Sequence, residues 1–175
     1  MSVGLGTEVP RFDLPGVDGK SHSLESYADA NVLVLVQSCN HCPYVQAWEG
    51  RLSAIASDYA ERGVSVVAIN SNDTVSHPED SFEEMQKRAS AQGFTFDYLF
   101  DEPQEIAREL RSERTPEVFV FGGDRRLVYH GAIDDSRDED QVSQQYLRDA
   151  LDAVLSGEEP AVSETPPVGC TLKWK

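Results

Sequence analysis

At 175 residues the chain suits one compact domain, long enough to bury about two-thirds of its unfolded surface without a disulfide staple. Its 31 acidic residues outweigh 15 basic ones, and the formal charge of −16 excludes nucleic acid and anionic membranes as natural partners, because phosphates are repelled. No window approaches the roughly 18 consecutive apolar residues of a membrane-spanning helix.

The start, Met1-Ser2-Val3-Gly4-Leu5-Gly6, has neither the basic residues nor the apolar stretch of a secretory leader, so a cytoplasmic location is expected. The only lysines are Lys20, Lys87, Lys173 and Lys175, and acids are spread along the whole chain. That pattern suits a halophilic type of protein, in which salt screens the self-repulsion, although an ordinary acidic protein has the same look.

In chain order, residues 9–28 alternate short apolar stretches with Pro-Gly and Asp-Gly turn signals, which predicts an N-terminal hairpin. Asn31 to Gln37 is uninterrupted in Val and Leu, as expected of a central strand covered on both faces. Val45, Trp48, Leu52, Ile55 and Tyr59 then recur at steps of three and four, predicting an amphipathic helix that ends at Gly63. Val64 to Ile69 is the next strand, parallel to the first through a right-handed crossover.

Residues 71–80 form a polar loop, and Ser81 with Glu84 offers a capping box for a helix to about Gln92. A strand over Thr95 to Phe100 and a short helix over Gln104 to Leu110 follow. Glu117 to Phe121 and Leu127 to His130 are joined by Gly122-Gly123-Asp124 and read as an antiparallel hairpin. Asp134 to Asp140 reads as a solvated acidic loop, and a final amphipathic helix runs from Val142 to Leu155. The tail, 158–175, is rich in Pro and Glu and is expected to cross the surface without regular structure.

Three cysteines in a reducing compartment are not expected to be structural bridges. Cys39 and Cys42 are three apart, follow the buried strand and open the helix, the context of a redox couple. A helix N-terminus and the intervening His41, when protonated, both favour thiolate over thiol. The thiolate would attack a substrate disulfide, and the second cysteine would resolve the mixed disulfide. A zinc site would need two more ligands, for which only Cys170 and isolated histidines are candidates; a Cys₂His copper-type site is the residual metal reading. Trp48 and Trp174 read as packing residues, and His22, His77 and His130 receive no role. Cys170 is either a resolving thiol or a free thiol of the tail.

Three segments carry a resemblance: Cys39-Asn40-His41-Cys42-Pro43-Tyr44-Val45, Arg114-Thr115-Pro116-Glu117-Val118-Phe119 and Gly169-Cys170-Thr171-Leu172-Lys173-Trp174-Lys175. They resemble the peroxiredoxin-like branch of the thioredoxin superfamily, related to the alkyl-hydroperoxide-reductase and thiol-specific-antioxidant (redoxin) proteins. The resemblance implies an α/β thioredoxin fold, a central mixed sheet flanked by helices with an N-terminal hairpin extension, over residues 1–157, followed by the tail 158–175. It implies a cis Pro116 facing the cysteines, with the Thr115 backbone pairing with a bound substrate strand. It leaves the attacking sulfur open: the thioredoxin pattern makes it Cys39, the peroxiredoxin pattern Cys42, with Arg114 as thiolate-stabilising arginine. The chain departs from both patterns, with Gln37-Ser38 before the motif in place of a Trp, and Cys39 where peroxiredoxins have Thr.

The expected function is therefore thiol–disulfide exchange at Cys39 and Cys42, without a bound cofactor, fed by a reductase or a low-molecular-weight thiol. A peroxidase acting on hydrogen peroxide or organic hydroperoxides is the near alternative. A metallochaperone for copper or zinc is the distant one.

Overall fold

The computed structural model describes residues 3–175, so the start Met1-Ser2 lies outside the described residues. Strands β1 (Asp13–Pro15) and β2 (Ser21–Ser23) form the antiparallel N-terminal hairpin. Strand β3 (Val32–Ser38) is buried at all seven positions. Helix α1 (Pro43–Tyr59) continues into a short 3₁₀ turn and ends where Gly63 adopts φ 79°, a left-handed conformation a glycine takes without strain. Strand β4 (Val64–Asn70) lies parallel to β3, as the short crossover demands.

Helix α2 (Phe82–Gln92) starts at Ser81, whose hydroxyl accepts the Glu84 amide. Then come β5 (Asp97–Phe100), α3 (Glu105–Leu110), the two-residue β6 (Arg114–Thr115), β7 (Glu117–Phe121) and β8 (Leu127–Gly131). Helix α4 (Tyr146–Leu155) begins later than its apolar pattern predicts, because the Asp135 carboxylate accepts the Ser143 amide and hydroxyl and holds that segment extended. The central sheet has the order β5-β4-β3-β7-β8, with β7 and β8 antiparallel to their neighbours.

Alternation along β3 divides the core. Val32, Val34 and Val36 pack with Trp48, Leu52 and Ile55 of α1, Met85 of α2, and Leu147 and Leu151 of α4. Leu33 and Leu35 face the other way, onto Ile106 and Leu110 of α3 and onto Phe12, Leu14 and Tyr27 near the hairpin. Both sheet faces are thus covered, which explains why β3 has no polar alternation. Among the described residues no helix is long and apolar enough to cross a membrane.

Two expectations from the sequence are corrected. Asp134 is not solvated: it is buried and accepts from Trp48 Nε1 at 2.8 Å and Arg51 Nη1 at 2.7 Å, joining its loop to α1. The tail is not structureless either. Residues 163–165 bond to His130 along the outer edge of β8, and Cys170–Thr171 forms β9, antiparallel to β6. A side chain at Gly131 would collide with Thr165, so glycine is what lets the tail run this close. Of the two tryptophans, Trp48 is core, whereas Trp174 stays about half exposed under the Arg108 guanidinium.

Leu147 is fully buried where α4 meets the sheet. Leu147→Ala is expected to cost about 2–5 kcal/mol, read as a lower urea midpoint with an unchanged slope.

Candidate active site

The site forms at the carboxyl end of β3, where the chain leaves the sheet as Cys39-Asn40-His41 and re-enters regular structure at Cys42. Cys42 is the N-cap of α1 and Pro43 its first residue, a position where a missing N–H costs nothing. Neither sulfur nor hydroxyl caps this helix end, so its first amides keep their partial positive charge near Cys42.

One bridge is present, and it joins Cys42 to Cys170 rather than to Cys39. The reason is β-sheet geometry: β9 pairs Cys170 with Thr115 and Thr171 with Arg114, which brings Cys170 against the start of α1. The Cys42 sulfur lies 3.4 Å from the Thr115 carbonyl oxygen. The Thr115-Pro116 peptide is cis, as the resemblance implies. The backbone edge at Thr115, expected to take a substrate strand, is thus filled by the chain's own tail.

Cys39 is a free, buried thiol, 3.6 Å from Thr115 Oγ1. Burial, and then the negative charge of Asp80, push it up to about 12; bonds from Thr115 and from the Cys42 and His41 amides only partly oppose this. Cys42 is fully buried, and Cys170 is the sulfur with partial access to solvent. The three cysteines with Val45 and Tyr44 form a small apolar cluster of their own. A cleft of about 820 Å³ is lined by Gln46, Arg51, Gln145 and Arg148 and by none of the cysteines.

Asp80 is the organiser that the sequence did not single out. Fully buried just before α2, it accepts the Asn40 amide at 2.7 Å, the His41 amide at 3.1 Å, His41 Nδ1 at 2.5 Å and Asn72 Nδ2 at 3.0 Å. It thereby fixes both residues between the cysteines. His77 stacks on the His41 ring, with centroids 5.4 Å apart. The capping pattern at Ser81 marks the neighbourhood of Asp80, but the contact spans 40 residues and carries no local signal.

A second buried carboxylate, Glu117, supports the opposite wall. Its Oε1 accepts the Glu113 and Arg114 amides at 2.8 and 2.9 Å, and its Oε2 bonds His130 Nε2 at 2.6 Å. His130, assigned no role from sequence, therefore braces β6. Arg114 itself is exposed, and its guanidinium donates to Thr171 Oγ1 at 3.2 Å. The structure thus unites Cys39, His41, Cys42, Thr115, Pro116 and Cys170, and turns the Arg114 side chain toward β9.

Cys39, His41 and Asp80 each present a ligand-type atom within 4.8 Å of the others, as do His41, His77 and Glu79. In the first group the Asp80 oxygens are already engaged by backbone and side-chain donors. That group reads as a hydrogen-bonded network rather than an open set of metal ligands.

No curated protein matches the chain. Two solved structures match it over nearly their whole length. An uncharacterized conserved protein from Geobacillus kaustophilus is 42% identical, with a TM-score of 0.93 over 98% of this chain and 93% of that one. A hypothetical protein from Sinorhizobium meliloti is 38% identical, with a TM-score of 0.94 over 100% and 97%. Peroxidoxin BcpB from Mycobacterium tuberculosis, 22% identical with a TM-score of 0.63 over 79% and 90%, shares the fold. A thioredoxin-family thiol:disulfide interchange protein from Chlorobium tepidum does so too, at 18% identity and a TM-score of 0.64 over 78% and 92%. The architecture is the thioredoxin fold. Residues 5–130 match the AhpC/TSA family model, and this chain is accordingly a member of the AhpC/TSA family and a thiol-dependent redox enzyme.

Proposed function

We propose that the chain is a thiol–disulfide oxidoreductase in which Cys42 attacks, and Cys39 and Cys170 are alternative thiols for releasing it from a mixed disulfide. The observation that carries this reading is the gathering of three sulfurs around Thr115: Cys42 bonded to Cys170 against its carbonyl, with Cys39 free beside its hydroxyl.

The two motif cysteines differ in electrostatics. Cys42 caps a helix of 17 residues with no acidic side chain in its first turn, which favours its thiolate. Cys39 holds its proton up to about pH 12. The thiolate that its surroundings favour more is the better attacker and the better leaving group, and the helix terminus on one side and the Asp80 charge on the other favour Cys42 over Cys39. In the forward direction Cys42 thiolate attacks a substrate disulfide, forms a mixed disulfide and expels one substrate thiolate. Cys170 or Cys39 then attacks Cys42, closing an internal disulfide and releasing the second thiolate. A dithiol reductase or a low-molecular-weight thiol returns two electrons to restart the cycle. A cytoplasmic setting, where such donors are abundant, belongs to this reading.

The second reading is a peroxidase that reduces hydrogen peroxide or an organic hydroperoxide. The pairing of Cys42 with Cys170 favours it, since a Cys42 sulfenic acid would condense with the Cys170 thiol and expel water. The Arg114 guanidinium supports it less, being engaged with Thr171.

Rapid mixing of reduced protein with a small disulfide and with hydrogen peroxide separates the two. For the oxidoreductase, Cys42→Ser abolishes the disulfide reaction, and peroxide consumes thiols no faster than it consumes a free cysteine. Peroxide oxidation at enzyme-like rates, lost in Cys42→Ser and kept in Cys39→Ser, establishes the peroxidase instead.

The raised Cys39 value has a thermodynamic consequence. Below the ordinary thiol value of 9.0 both folded and unfolded chains keep the proton. Between there and about 12 only the unfolded chain loses it, so stability falls as pH rises through that window. Denaturant unfolding at several alkaline pH values is expected to show a shallower fall for Cys39→Ser than for the parent chain.

A further inference from the structure

The tail does more than supply a third sulfur. The tail pairs with β6 through β9: Cys170 pairs with Thr115, Thr171 pairs with Arg114, and just past the strand the Leu172 amide donates to the Glu113 carbonyl at 3.0 Å. Beyond it, Lys173 receives the Asp73 amide on its carbonyl and gives its own amide to Asn72 Oδ1. The Leu172 side chain is buried. Immediately before the cysteine, a Cβ on Gly169 would stand 2.0 Å from the Thr115 carbonyl oxygen, a backbone atom with no freedom to yield. This strand sits on the Thr115 edge in disulfide linkage to Cys42, the sulfur proposed to form the mixed disulfide.

Resting on the oxidoreductase reading, and on the strand pairing at Thr115 that the family resemblance implies, we infer that β9 is an internal copy of the substrate: a partner strand that takes its place on β6 carries glycine before its cysteine and an apolar residue two positions after it. A two-residue edge holds one strand at a time. Docking of a partner strand therefore requires reduced Cys170 and its flanking residues to leave the edge. Cys42 thiolate then attacks the partner's cysteine sulfur, and the partner's other thiolate departs and takes up a proton.

The return of the tail completes the exchange. Cys170 thiolate attacks Cys42, the Cys42–Cys170 bond forms, and the partner's cysteine leaves as a second thiolate. The same motion restores β9 to the edge, so that chemical resolution and eviction of the product strand are one event. A dithiol donor resets the bridge.

The test uses the full-length Cys170→Ser chain, reduced, with a synthetic peptide having the sequence of residues 166–175 whose cysteine is capped as a mixed disulfide with a coloured aryl thiol. Release of the aryl thiolate reports attack on the peptide sulfur, because the less basic thiol leaves. The glycine peptide is expected to react at least about tenfold faster than one with valine before the cysteine. Adding Leu172→Asp to the protein, which loosens its own tail, is expected to raise the rate for the glycine peptide further. Equal rates for the two peptides in both proteins overturn the inference. The symmetrical disulfide of the same aryl thiol is the control. If it reacts through Cys42 while the peptides are not distinguished, the substrate inference alone fails; if it does not react, the oxidoreductase reading fails with it.

Discussion

The short antiparallel pairing of residues 114–115 with 170–171 is the constraint on which the site depends. It carries Cys170 across 128 residues of sequence to Cys42 and lays a backbone strand over the Thr115-Pro116 peptide. So small a ladder needs outside support, since two residues make few bonds and an isolated pair of strands is marginal in water. Glu117 supplies it from below by accepting the amides of Glu113 and Arg114, while His130 holds its other oxygen. On the tail side, the Leu172 side chain is buried, and Gln104 Nε2 donates to the Lys173 carbonyl. The edge is thus held in place by side chains outside the loop of Cys39 to Cys42.

Against that wall the loop of Cys39 to Cys42 is held by Asp80. A carboxylate taken fully out of water is tolerable only where donors replace its hydration, and here two backbone amides, an imidazole and an asparagine amide do so. The same charge opposes ionisation of Cys39, to which burial contributes most. One residue therefore orders the loop and separates the two cysteines chemically: Cys42 faces the open end of α1, whereas Cys39 faces a buried anion. His41, which from sequence alone stands as a cation serving both sulfurs, is tied through Nδ1 to that anion.

Most of the fold was legible because its signals are local. The Val/Leu run of β3, the three-and-four spacing along α1 and the Ser81 cap each depend on neighbours a few residues apart. The position of Cys39 and Cys42 between β3 and α1 followed from the same reading. What the sequence did not reveal lies in contacts between distant segments. Asp134 looks like one more acid in a charged run until Trp48 and Arg51 are found beneath it. The tail is rich in Pro and Glu, and a two-residue strand has no periodicity to detect; its order comes from edges of the sheet that composition does not describe. The spacing of three within the motif suggests a ring between Cys39 and Cys42, whereas strand pairing brings the more distant sulfur to Cys42.

Tail docking and the redox state of Cys42 are linked by thermodynamic necessity. Whatever free energy the β6–β9 pairing and the Leu172 contact contribute to seating the tail raises the effective concentration of Cys170 at Cys42, and favours the bridge by the same amount. Conversely, the bridge closes a long loop, which in the chain-entropy account stabilises the native chain by about 5 kcal/mol, and it withdraws the Thr115 edge from any competing strand. Reduction reverses both effects together. Cys39 has no such linkage, because it is already anchored to the loop and moves with it. Of the two thiols proposed to close on Cys42, one is held in the same loop but reluctant to ionise, and the other is tied to whether the edge at Thr115 is occupied. That difference separates a disulfide that merely stores an oxidised state from one that also reports whether the edge is free.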